Sequence, residues 1–153
     1  MQNDRFTVLF LGDVIGKPGR RAVGEYLQQS RADFVVINGE NLAGGIGITA
    51  RTALEMLSLG VDAITTGNHV WKKKEVATFL MEEQRVVRPL NYPRGTPGFG
   101  YTVVKKNGIS LCVANIEGRI FMNSLDCPFR AMEEFLRTEK PDAPIIVDFH
   151  AEA

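Results

Sequence analysis

The chain has 153 residues, 44% of them hydrophobic and 24% charged, with eighteen Lys and Arg balancing eighteen Asp and Glu. That is enough apolar material for a real core, which excludes a disordered or fibrous chain. The neutral balance excludes a protein built to coat nucleic acid or an anionic membrane, so any phosphate-bearing partner should be small or held locally. The two cysteines, Cys112 and Cys127, lack CxxC spacing, which argues against a disulfide framework or zinc knuckle and leaves them as packed or idle thiols. The only apolar run near the N-terminus, residues 6–11, is too short for a signal peptide or membrane span, so the sequence reads as cytoplasmic with no membrane partner.

Residues 6–11 are almost continuously apolar and are closed by Gly12-Asp13, the pattern of a strand buried on both faces. Residues 34–37, 63–66 and 145–149 repeat it. Between them lie helical stretches at 18–29, where Pro18 suits a first turn, at 49–59, with Ala53, Leu54 and Leu57 at helical spacing, and at 73–84. Strands alternating with helices predict an α/β fold with a mainly parallel sheet. Residues 88–100 are too rich in Pro and Gly for a regular element. A hairpin follows, with strands at 101–105 and 109–114 around Lys106-Asn107-Gly108, where Asn-Gly supplies a type I′ turn. Asp126 is placed to cap a helix over 128–138, which leads to the last strand. No repeat or second domain is visible: residues 1–153 read as a single domain, cut short just beyond the polar end of that strand.

The chemistry gathers after the predicted parallel strands. Gly12-Asp13 follows the first, Asn38-Gly39-Glu40-Asn41 the second and Gly67-Asn68-His69 the third, while Asp148-Phe149-His150 ends the last. The carboxyl ends of parallel strands share one edge, so residues distant in sequence converge there. Both histidines of the chain belong to this set. Asp, Glu, Asn and His are hard-to-borderline ligands suited to manganese or iron, and the lack of Cys argues against structural zinc. Other chemistries fail. Residues 12–20 invite a P-loop reading, but the glycine spacing is wrong and Pro18 stands where Ser or Thr must hold Mg²⁺. No G-x-S-x-G elbow occurs, and neither cysteine has a His partner in sequence. Lys72-Lys73-Lys74 and Lys105-Lys106 read as solvated faces, the first close enough to the set to attract phosphate.

In this order, Gly12-Asp13, Asn38-Gly39-Glu40-Asn41, Gly67-Asn68-His69 and His150 resemble the motifs of the calcineurin-like metallophosphoesterases. The general family carries His two residues after its first Asp, where Ile15 stands here, and an Asp where Glu40 stands. Those departures, with NGEN, GNHVW, RPLNYP, GTPGFG and DFHAEA, resemble the bacterial subfamily linked to 2′,3′-cyclic nucleotide phosphodiesterase activity. The resemblance implies a layered α/β/β/α metallophosphoesterase fold.

It also implies roles. Asp13 and Asn41 would bind one metal ion, Asn68 and His150 a second, and Glu40 would bridge them, with iron the usual metal and manganese a common activator. A hydroxide between the metals would attack a small phosphodiester such as a cyclic nucleotide, and His69 would protonate the leaving alkoxide. The family's final GxHxH is absent from these 153 residues, which would leave each metal one histidine short. A catalytically silent regulatory module or an inactive fragment of the same fold is therefore the alternative to an enzyme, and a homo-oligomer stays open. The intact mass of the natural product separates these readings.

Overall fold

The computed structural model describes residues 5–152. A four-stranded sheet contains β1 (Val8–Leu11), β2 (Phe34–Asn38), β3 (Ala63–Thr65) and β4 (Val86–Val87) in that order, all parallel. Helices α1 (Gly16–Leu27), α2 (Ala50–Ser58) and α3 (Val76–Glu82) make the crossovers, with a 3₁₀ turn at Val70–Lys72 ahead of α3. A second, three-stranded sheet has the order β5 (Tyr101–Lys106), β6 (Ile109–Glu117), β7 (Ile145–His150), with β5 antiparallel and β7 parallel to β6. Helix α4 (Pro128–Thr138) connects β6 to β7.

The alternation of side chains along each strand builds the layers. Val35 and Ile37 of β2 face the helices and pack with Val23, Ala53, Met56 and Leu80. Phe34 and Val36 of the same strand face the second sheet and meet Val104, Leu111 and Val113. Cys112 and Ala114, alternating with Leu111 and Val113 on β6, face outward against Phe135 of α4. The result is an α/β/β/α stack with three apolar layers. Each buried Phe, Leu or Ile contributes roughly 1.5–3 kcal/mol of transfer free energy.

Local signals are well respected in the middle of the chain. Thr49 and Thr52 form a reciprocal capping box at the start of α2. The register pairs Lys106 with Ile109, leaving a two-residue turn in which Asn107 and Gly108 both have positive φ, 51° and 79°, as type I′ demands. Helix α4 spans 128–138 as expected, yet its N-cap is Cys127, without a side-chain bond, and not Asp126. There Pro128 at the first turn sets the start. Helix α3 begins three residues late, because Val70 is drawn fully into the core and the chain turns there first.

Three expectations change. Neither the first nor the last predicted strand is buried on both faces: β1 and β7 are sheet edges, with Phe10 and Phe149 exposed. The last strand does not join the first sheet but pairs with the hairpin. β4, only two residues long, abuts the Pro-rich segment and carries no local signal. Among the described residues no helix is long and apolar enough to cross a membrane.

Candidate metal centre

The loops after β1, β2 and β3 are tied to one another through backbone. Val14 N donates to Asn38 O at 3.0 Å and Gly16 N to Asn41 O at 2.9 Å, which docks the Asp13 turn against the end of β2. Gly39 N donates to Thr65 O at 2.9 Å, joining that end to β3. The buried Val70 anchors the Gly67-Asn68-His69 turn, with its amide donating to Gly67 O at 3.2 Å.

His150 arrives from the other sheet, and polar bonds across the sheet interface decide where. Asp148 Oδ2 accepts from Asn38 Nδ2 at 2.9 Å and from Thr65 Oγ1 at 2.5 Å. Asn115 Nδ2 donates to Thr66 O at 2.8 Å. At this end of the stack the apolar layer between the sheets gives way to hydrogen bonds, and the strand ends of both sheets face one site.

Glu40, 2% exposed, is its centre. Its Oε1 lies 3.2 Å from His69 Nδ1 and accepts from Asn41 Nδ2 at 3.3 Å. Its Oε2 accepts from the His69 backbone amide at 3.1 Å and lies 3.4 Å from His150 Nε2. Asn41 Nδ2 also donates to Asp13 Oδ2 at 2.8 Å, while Asn41 Oδ1 lies 2.8 Å from His69 Nδ1. Asn68 Oδ1 lies 3.1 Å from His150 Nε2. Asp13, Glu40, Asn41, Asn68, His69 and His150 thus form one connected group. Asp13 is its exposed rim, Asn68, His69 and His150 are half-buried, and Glu40 and Asn41 are its floor. Gly67 makes the approach possible: a Cβ there would overlap Glu40 Oε2 and the His150 ring.

One acidic residue next to this group escapes sequence reasoning. Glu117, the last residue of β6, pairs in register with His150 and is fully buried, yet neither carboxylate oxygen has a hydrogen-bond partner. Burial pushes its pKa up; the nearby Tyr92 hydroxyl and His150 oppose the shift, and the Glu40 charge adds to it. Tyr92 is itself pushed well above the ordinary phenol range, by burial first and by Glu117 second. The hydroxyl of Tyr92 likewise completes no well-formed hydrogen bond. Asn115-Ile116-Glu117-Gly118 has the same strand-end look as Asn38-Gly39-Glu40-Asn41, a signal that a strand predicted to stop at Ala114 hides.

The donor chemistry suits a cation. Asp13, Glu40, Glu117 and Asp148 bring four carboxylates to this end of the sheets, and none bonds a Lys or Arg among the described residues. Among those residues no three His, Cys, Asp or Glu side chains are grouped so as to hold a metal ion by themselves, and the amides of Asn41 and Asn68 lie beside Glu40 and His150. Carboxylate, imidazole and amide oxygen together are hard-to-borderline donors.

A model of the YmdB-like protein family matches residues 9–153. The chain belongs to that family. It is 46% identical over 151 residues to the 2′,3′-cyclic-nucleotide 2′-phosphodiesterase of Bacillus subtilis (strain 168), covering 95% of this chain and 57% of that protein. The crystal structure of a hypothetical protein from Thermus thermophilus superposes with a TM-score of 0.88 at 49% identity, over 95% of this chain and 58% of that one. The chain therefore spans little more than half the length of these relatives. A Staphylococcus aureus structure named "Putative 5'-Nucleotidase" shares the fold alone, with a TM-score of 0.53 at 15% identity over 86% of this chain and 31% of that one. The resemblance read from the strand-end motifs holds, and the layered α/β stack is the metallophosphoesterase fold.

Proposed function

We propose that this chain, as a single metallophosphoesterase domain, carries most of the active site of a metal-dependent phosphodiesterase acting on small phosphodiesters such as 2′,3′-cyclic nucleotides. The observation that carries the reading is Glu40, buried with one oxygen toward His69 and the other toward His150, and flanked by Asn41 and Asn68. The similarity to the Bacillus subtilis phosphodiesterase supports the substrate class. Asp13 and Asn41 would hold one cation, Asn68 and His150 the other, and Glu40 both. The mixed donors suit iron or manganese, and the family resemblance puts iron first. Bound there, two cations supply Lewis acidity toward the phosphoryl oxygens and the hydrolytic water.

His69 has the geometry of a proton donor. Its Nδ1 faces two acceptors, Asn41 Oδ1 at 2.8 Å and Glu40 Oε1 at 3.2 Å, so the Nδ1 proton is held inward. Its Nε2 has no protein partner among the described residues, so in the doubly protonated ring it carries the second proton, the one that would pass to a leaving alkoxide. Asn41 links this acid to the acidic rim, since its amide group reaches Asp13 as well.

The test combines elemental analysis with hydrolysis of a 2′,3′-cyclic nucleotide by the full-length protein. His69→Ala should lower turnover by roughly 10²–10⁴ with the metals retained, whereas Glu40→Ala should lose metal too. Loss of metal from His69→Ala would make His69 a ligand and not an acid. A wild-type protein that takes up no metal would end the proposal.

A further inference from the structure

We infer that Glu117 is a further acidic member of the metal centre, placed on the His150 side to supply negative charge to the cation held there. The inference rests on the metal-dependent reading above. Its observations are separate from the motifs that led to that reading.

The direction of the side chain follows from register. On β6, Val113 packs against Phe34, Val36 and Ala63 of the first sheet, and Asn115 donates to Thr66 O of that sheet. Two residues further along the same face comes Glu117. On β7, Ile146 packs in the same layer, Asp148 bonds Asn38 and Thr65, and His150 reaches Glu40 and Asn68. Glu117 and His150 are paired residues of parallel strands, so both side chains point into the gap between the sheets at the metal end.

The backbone of Glu117 is clamped while its carboxylate is left free. Asn91, 1% exposed, accepts from Glu117 N at 2.9 Å and donates to Glu117 O at 2.8 Å. The same Asn91 amide group donates to Asp126 O at 2.9 Å, anchoring the approach to α4. A fully buried carboxylate with two unpartnered oxygens is costly unless a cation or a proton compensates it. A proton alone would leave the buried carboxyl with only the Tyr92 hydroxyl close by, and that hydroxyl completes no well-formed hydrogen bond with it. A cation beside His150 compensates the charge itself, and an acidic neighbour of a metal-ligating histidine commonly tunes the affinity of the site.

The test uses full-length protein stripped with a chelator and titrated with Mn²⁺, with free ion read by electron paramagnetic resonance and bound ion by elemental analysis. Glu117→Gln, which keeps the shape and removes the charge, should weaken one of two Mn²⁺ sites by about 10–100-fold. The stripped variant should melt at or above the temperature of the stripped wild type, because a buried charge has gone. Two Mn²⁺ sites of unchanged affinity in a folded Glu117→Gln protein would overturn the inference and leave the phosphodiesterase reading intact. A wild type that binds no Mn²⁺ would overturn both. Should the variant not fold, anomalous diffraction from Mn²⁺-loaded wild-type crystals decides: a Glu117 oxygen directed at a metal or its water supports the inference, and a carboxylate turned away overturns it.

Discussion

A methyl group at position 67 has no room. Gly67 is buried, and a Cβ built on its backbone would overlap Glu40 Oε2 and the His150 ring, standing 2.5 Å from His150 Nε2 where ordinary contact begins near 3.4 Å. Gly67→Ala must therefore push the carboxylate and the imidazole apart by about 1 Å, on the scale at which misplacement costs roughly 10²-fold in rate. That factor corresponds to about 2.7 kcal/mol of transition-state stabilisation. Both obstructing groups are side-chain ends and not backbone, so the fold should absorb the change at about 1–3 kcal/mol, as an overpacked core does. Wild type and Gly67→Ala would be compared by urea unfolding, Mn²⁺ titration and cyclic-nucleotide hydrolysis. The expected pattern is a folded protein with weakened metal binding and turnover down about 10²-fold. A stable Gly67→Ala protein with wild-type metal affinity and turnover would refute the view that the Glu40–His150 spacing sets the site.

The cross-sheet hydrogen bonds and the thiols make further predictions. Asp148→Ala removes one acceptor shared by Asn38 Nδ2 and Thr65 Oγ1, each of which keeps only a longer bond at 3.3 Å, to Thr66 O and Ile37 O respectively. Its urea midpoint should fall by the equivalent of about 2–4 kcal/mol, and a loss below about 0.5 kcal/mol would show that the carboxylate does not fasten the sheets. Cys112 is pushed up to about 11 by burial, whereas Cys127 is lowered, first by the backbone amide of Arg130, with burial opposing and the Phe129 amide adding to the shift. The thiolate is the reactive form, so mild alkylation near neutral pH should label Cys127 in the native protein and Cys112 only on unfolding. Equal labelling of both peptides by mass spectrometry would contradict the burial of Cys112.

By itself the sequence determined what depends on near neighbours. The apolar runs that became β2 and β3, the 3.6-residue spacing of α2 and the Asn107-Gly108 turn are local choices, each made within a few residues. The strand-end motifs were legible for the same reason, since parallel strands put their carboxyl ends on one edge whatever their order. Tertiary structure decided what depends on partners far along the chain. Nothing near residues 145–150 says that β7 pairs with β6 and not with the first sheet, and the edge positions of β1 and β7 follow from that pairing. Likewise, Glu117 looks like the solvated end of a hairpin strand until β7 lies beside it and the first sheet closes over it. Burial, and with it the value of an unpaired charge, belongs to the packed molecule: a strand's residues choose their faces locally, but only the second sheet can remove one face from water.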